Sequence, residues 1–239
     1  MVPDEVYLWR VSLDKITWDF DEIEQLLSAD ERKRSERFVF ERDQRRFMLG
    51  RAVLRMILGR CLSLPPEEVS FRYERYGKPV LDHTDFSFNI SESDGCAVYA
   101  ITRNRRIGVD IERIRDIAEM DQIARRFFSS SENELLCTLE GSRKRKMFFE
   151  YWTRKEALIK AVGSGLKMPL HSFDVTAYPD EPTYLIRLKD DLGKECQWAI
   201  NDLARNTGFA AAVAVESSRA LPLREHIFCS SEEEHESDC

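Results

Sequence analysis

Two short runs of this chain place acids and a base at spacings that could do chemistry. Gly108-Val109-Asp110-Ile111-Glu112 alternates apolar and acidic residues. Read as a strand, it sends Asp110 and Glu112 to one face, roughly 7 Å apart at Cα. Trp152-Thr153-Arg154-Lys155-Glu156-Ala157-Leu158-Ile159-Lys160 reads as a helix, in which Glu156 and Lys160 are neighbours one turn apart. Each pair alone also fits a solvated strand or helix face. If the helix packs beside the strand, three carboxylates converge with one ammonium at their edge. Hard oxygen ligands in that number suit Mg²⁺ that keeps water and substrate phosphate in its shell. The lysine would meet the phosphate as a point charge.

The elements that must position these runs are legible as patterns. Val6–Leu13 alternates and is expected as a strand. Ser28-Ala29-Asp30-Glu31 is a capping box opening a basic helix that has Phe38 and Phe40 near its end. Asp43–Cys61 carries an apolar helical stripe of Phe47, Val53, Leu54, Ile57 and Leu58. Ser70–Arg75 is extended, and Tyr76-Gly77-Lys78-Pro79 is a turn. Phe86–Ser91 and Cys96–Thr102 form a hairpin about Asp94-Gly95, and Ile107–Ile111 is the next strand. Helices are expected over Ile117–Phe127, Ser129–Leu139 and Lys146–Gly163, the last ended by Gly163 and Gly165. Phe173–Ala177, Tyr184–Leu188, Cys196–Ile200 and Phe209–Val215 close the chain as strands. The order of strand, helices, strands, helices, strands predicts an α+β fold. The two halves repeat roughly the same element order.

Composition narrows the class. A chain of 239 residues, 43% hydrophobic and 33% charged, is an ordinary globule able to bury a large core. Net charge is −7, which argues against a nucleic-acid binder, although residues 31–60 are rich in arginine. Those arginines fit either a solvated helix face or phosphate capture. The last ten residues hold Glu232, Glu233, Glu234, Glu236 and Asp238 without a basic partner, the pattern of a disordered tail. The six cysteines form no C-x-x-C pair, as expected of reduced thiols in a cytoplasmic protein. No signal peptide and no membrane span are expected.

Taken together and in order, the runs resemble the 4′-phosphopantetheinyl transferases, specifically the Sfp-type family. The matching pieces are Arg37-Phe38, Arg45-Arg46-Phe47, Gly50-Arg51, Gly77-Lys78-Pro79, Phe88-Asn89-Ile90-Ser91, Gly108–Glu112, Arg125–Ser129 and Trp152–Leu166. The similarity covers roughly residues 28–175. The resemblance implies a monomer of two similar halves in pseudo-twofold arrangement, with the active site in the cleft between them. The expected division is an N-terminal half at 1–105, a C-terminal half at 106–229 and the tail at 230–239. It implies transfer of the phosphopantetheine arm of coenzyme A to a serine of an acyl or peptidyl carrier protein, releasing adenosine 3′,5′-bisphosphate. By motif position, Asp110, Glu112 and Glu156 would bind Mg²⁺. Glu156 would take the serine proton, directly or through water. Lys160 would neutralise the pyrophosphate. Arg34 and Arg46 would hold the adenosine-side phosphate; Gly77, Lys78 and Pro79 would line adenine and ribose; Ser91 would meet a phosphate.

The chain departs from the family pattern at one place. The family usually has histidine after N-I-S, and here stands Glu92. A carboxylate near a phosphate repels it, so Glu92 turns away, reaches the metal, or belongs to a pocket that binds coenzyme A differently. Two rival readings stay open: a catalytically weak coenzyme A or carrier-binding module, and a nucleic-acid binder using the arginine-rich helices. The candidate carrier surface is Arg113 to Phe128, with Arg113, Ile114, Arg115, Ile117, Met120, Arg125, Arg126 and Phe127 as its members.

Overall fold

The computed structural model describes residues 1, 4–74, 77–163, 168–176, 183–189, 193–203 and 208–228. Tyr76, Gly165, Leu166, Ala177 and the acidic tail lie outside the described residues. The elements in order are Val6–Ser12 (β1), Phe20–Leu26 (α1), Ala29–Ser35 (α2), Glu41–Leu62 (α3), Arg72–Tyr73 (β2), Pro79–Val80 (β3), Phe86–Ser93 (β4), Cys96–Arg103 (β5), Ile107–Arg113 (β6), Met120–Phe127 (α4), Ser130–Cys137 (α5), Gly141–Val162 (α6), Thr183–Lys189 (β7), Glu195–Asp202 (β8), Phe209–Glu216 (β9) and Leu223–Ile227 (β10).

Two four-stranded sheets, β10-β1-β5-β4 and β6-β9-β8-β7, form the centre. Their strands pair antiparallel except for β10, which lies parallel to β1. Period-2 alternation sorts each sheet's side chains between two cores. In β5, Ala97, Tyr99 and Ile101 pack toward α3, while Val98 and Ala100 face the other sheet. In β9, Ala210, Ala212 and Ala214 pack toward α6, while Ala211, Val213 and Val215 face inward. The result is four layers: helix, sheet, sheet, helix. The fold is α+β, and each half sets a four-stranded sheet against one helix of 22 residues.

Each half also buries the same polar device. The Ser28–Glu31 capping box opens α2, and Glu31 reaches Arg51 at 2.5 Å and Arg55 at 2.6 Å on α3. Arg55 then donates to the carbonyls of Pro66, Glu67 and Val69. The Ser129–Glu132 capping box opens α5, and Glu132 meets Lys155 of α6 at 2.8 Å. Lys155 donates to the carbonyls of Leu170 and Phe173. Buried charges survive when every partner is supplied, and both devices supply them.

Several expectations are corrected. Within the expected strand at Phe173–Ala177, the described residues 173–176 are a connection: their groups bond side chains, Val175 N–H to Glu132, Val175 O to Arg154 and Phe173 O to Lys155. The basic helix stops at Ser35, so Phe38 and Phe40 lie in the connection to α3. Helix α4 begins at Met120, later than expected, and α6 begins at Gly141, earlier. Helix α1 and strand β10 were not expected at all; their apolar residues are too few for a clear period. Among the described residues no helix is long and apolar enough to cross a membrane.

Candidate active site

β6 is the edge of its sheet, and its pleat turns Ile107, Val109 and Ile111 inward. The alternate residues Gly108, Asp110 and Glu112 therefore face α6. Gly108 is the hinge of this geometry. A Cβ at that position would stand 2.1 Å from Ala157 O and 2.4 Å from Ala161 N, so only glycine lets helix and strand approach this closely. That approach brings Asp110 and Glu112 beside Glu156 and Lys160, the convergence expected from the two runs.

The carboxylates are buried to different degrees. Asp110 is buried, and its Oδ1 accepts from Lys160 Nζ at 2.6 Å and from Ser91 Oγ at 2.9 Å. Its Oδ2 is buried without a partner. Glu112 Oε2 accepts from Ser93 Oγ at 3.0 Å. Burial pushes the carboxyls of Asp110, Glu112 and Glu156 above their ordinary range. The neighbouring Asp110 adds to the upward push on both glutamates, and Glu112 adds to that on Glu156. Lys160 opposes it at all three and also donates to Ser91 Oγ and Val109 O. Among the described residues no group of three His, Cys, Asp or Glu is arranged to hold an ion as it stands. The Lys160 ammonium sits on Asp110 instead.

The other expected site residues are distributed differently. Ser91 touches Asp110 and Lys160 rather than open space. Lys78 reaches across the halves and donates to the Lys160 carbonyl at 2.6 Å and the Ile107 carbonyl at 3.1 Å. Burial pulls its ammonium down to about 8. Gly77 takes φ +79°, which only glycine adopts readily, and Pro79 begins β3. Arg46 grips Asp14 through two bonds of 2.8 and 2.6 Å, and Arg34 lies over the Phe47 ring at 5.3 Å. Glu92 shares its face of β4 with Phe88 and Ile90, toward α3 and away from the Asp110 side. Burial pushes its carboxyl up, Arg46 draws it down, and Asp14 and Asp43 repel it. In the 113–128 segment the four arginines are exposed, whereas Ile114, Ile117, Met120 and Phe127 pack partly on the core. Asn89, which belongs to the matching run Phe88–Ser91, and Ser93 two strand positions beyond Ser91 bond β6 directly. Their signal was present as polar residues at alternate positions of an edge strand.

Comparison with known proteins agrees along the chain. Residues 106–214 match the 4'-phosphopantetheinyl transferase superfamily, and residues 9–104 match the 4'-phosphopantetheinyl transferase N-terminal family. The 4'-phosphopantetheinyl transferase HetI of Nostoc sp. is 38% identical over 219 residues, which cover 90% of this chain and 89% of that protein. The 4'-phosphopantetheinyl transferase Sfp of Bacillus subtilis is 34% identical over 155 residues, 64% of this chain and 68% of that one. A crystal structure of a holo-(acyl-carrier-protein) synthase from Bacillus anthracis in complex with CoA (3',5'-ADP) is 26% identical, covers 47% of this chain and 96% of its own, and superposes with a TM-score of 0.33. The two family models, which between them match residues 9–104 and 106–214, and the 38% identity to HetI over 90% of the chain establish that the chain belongs to the 4'-phosphopantetheinyl transferase superfamily.

Proposed function

We propose that this protein transfers the 4′-phosphopantetheine arm of coenzyme A to a serine of an acyl or peptidyl carrier protein, as a monomer in the cytoplasm, with Mg²⁺ held by Asp110, Glu112 and Glu156. The single observation that carries the metal reading is the partnerless, buried Asp110 Oδ2 amid carboxyls that burial pushes up. Such a cluster of hard oxygens lacks positive charge, and the donor set fits a divalent cation. When bound, the ion would neutralise the pyrophosphate of coenzyme A and stabilise charge growing on its oxygens.

The remaining steps fall to side chains. The Glu156 side chain makes no hydrogen bond among the described residues, and its carboxylate takes the proton from the carrier serine, directly or through water. The serine oxygen bonds to the phosphorus nearer the pantetheine. The bond from that phosphorus to the bridging oxygen breaks, and adenosine 3′,5′-bisphosphate leaves. Lys160 shifts its ammonium from Asp110 to the phosphate oxygens, a short move for a flexible stem. Lys78 holds the carbonyl of Lys160 and so fixes where that stem begins. Ser91, Arg34, Arg46, Gly77 and Pro79 form the coenzyme side of the cleft, Arg46 after exchanging Asp14 for phosphate. Glu92 stays on the α3 face, where Arg46 balances it.

The test is to incubate the protein with coenzyme A, Mg²⁺ and several apo carriers and weigh the carriers by mass spectrometry. The expected result is a gain equal to one phosphopantetheine. Unchanged mass across all carriers would overturn the reading.

A further inference from the structure

β4 and β6 are the facing edges of the two sheets, yet no backbone ladder joins them. Alternate side chains of β4 make the pairing instead. Asn89 Oδ1 accepts from the Val109 N–H at 2.9 Å, Ser91 Oγ from the Ile111 N–H at 3.3 Å, and Ser93 Oγ from the Arg113 N–H at 3.1 Å. A serine hydroxyl that accepts in this way still has its own proton to place. Ser91 gives it to Asp110 and Ser93 gives it to Glu112. The pattern follows β6 residue by residue. Asn89 stands beside Gly108-Val109, where there is no carboxylate to orient. Each serine stands beside a carboxylate and the N–H that follows it.

We infer that Ser93 is a positioning residue of the metal site, which aims Glu112 by holding Oε2 and leaves Oε1 for the ion. The inference rests on the metal reading above and adds a residue to it. Outer partners of this kind set ligand orientation, and their loss costs metal affinity about tenfold or more. The same hydroxyl ties the two sheets together through Arg113, so an alanine here removes two bonds at once. A purely structural role would change melting without changing metal affinity.

The experiment is calorimetric titration of Mn²⁺ into the coenzyme-free full chain, beside thermal melting in chelator. Ser93→Ala is expected to raise the Mn²⁺ dissociation constant about tenfold. Ser93→Thr, which keeps the hydroxyl, is expected to restore it. In a Glu112→Gln background Ser93→Ala should have no further effect, because it acts through that carboxylate. Should the alanine variant fail to fold, Ser93→Cys keeps the size, weakens the donor and offers a soft sulfur that hard cations avoid. Its affinity should fall in the same direction. Equal Mn²⁺ affinity in wild type and the Ser93 variants overturns this inference alone. A wild type that binds no Mn²⁺ yet transfers the arm overturns the metal reading with it.

Discussion

The two long helices carry the same buried device and differ in what stands beside it. Counted from their first residues, Arg55 of α3 and Lys155 of α6 hold the same place, and so do Met56 and Glu156, and Arg60 and Lys160. Arg55 and Lys155 each serve a capping-box glutamate and a set of loop carbonyls. The next residue separates the halves. Met56 on α3 is a gap-filling apolar side chain. Glu156 on α6 is a half-buried carboxylate facing two more. One architecture thus appears twice, once satisfied throughout and once left short of positive charge. The second is the kind of place where binding and chemistry are found.

Substitutions can break or sharpen this comparison. The largest effect should come from Glu156→Gln. Transfer is expected to fall by about 10²–10⁴-fold, the usual worth of a positioned base. Its melting temperature should stay equal or rise, since a repelled carboxylate is removed. Loss of transfer together with loss of folding would erase the distinction from Glu132. Next in size is Glu132→Gln or Lys155→Met, which strands one charge of a pair with both side chains fully buried. Denaturant unfolding should show about 3–5 kcal/mol less stability, and Glu31→Gln should behave alike. Replacing both partners, Glu132→Leu with Lys155→Met, should recover only part of that loss: no orphan charge remains, but the Leu170 and Phe173 carbonyls and the Val175 N–H lose their partners.

A smaller effect distinguishes the first half by pH. Burial pushes Glu31 up, but Arg51, the Ser28 N–H and Arg55 together hold its carboxyl below the ordinary 4.5. A lowered carboxyl contributes stability that is complete above its unfolded value and is lost as pH falls through the folded one. Stability measured below about pH 4.5 should therefore drop in the wild type and drop less steeply in Glu31→Gln. The smallest effect is expected at Glu92→His. Glu92 faces Arg46 and α3, so turnover and KM for coenzyme A should remain similar or improve. Abolished transfer would give Glu92 a required role that its place on β4 does not suggest.

Much of this was readable in the residues. Asp110 and Glu112 at period 2, and Glu156 and Lys160 at one helical turn, state their faces without any fold. The Ser28–Glu31 box announces a helix start. What local pattern could not state is where Glu31 goes next. Its partners lie 20 and 24 residues away on another helix. The same holds for the residues 173–176, apolar enough for a strand but claimed by Glu132, Arg154 and Lys155. Arg46 entered as a phosphate ligand through the resemblance alone, which says nothing of what it touches without a ligand. It touches Asp14, 32 residues earlier.

The sequence by itself determined the α+β class, the faces of the acidic strand and of the helix that carries Glu156 and Lys160, and the family to which their combination points. Periodicity and motif order are local, and they survive without a fold. The tertiary structure decided which acids are satisfied and which are not. Only packing brings β6 against α6 at Gly108, puts Lys160 on Asp110, and leaves Asp110 Oδ2 buried without a partner. Burial and charge are properties of the whole assembly, since each depends on what distant segments remove from water.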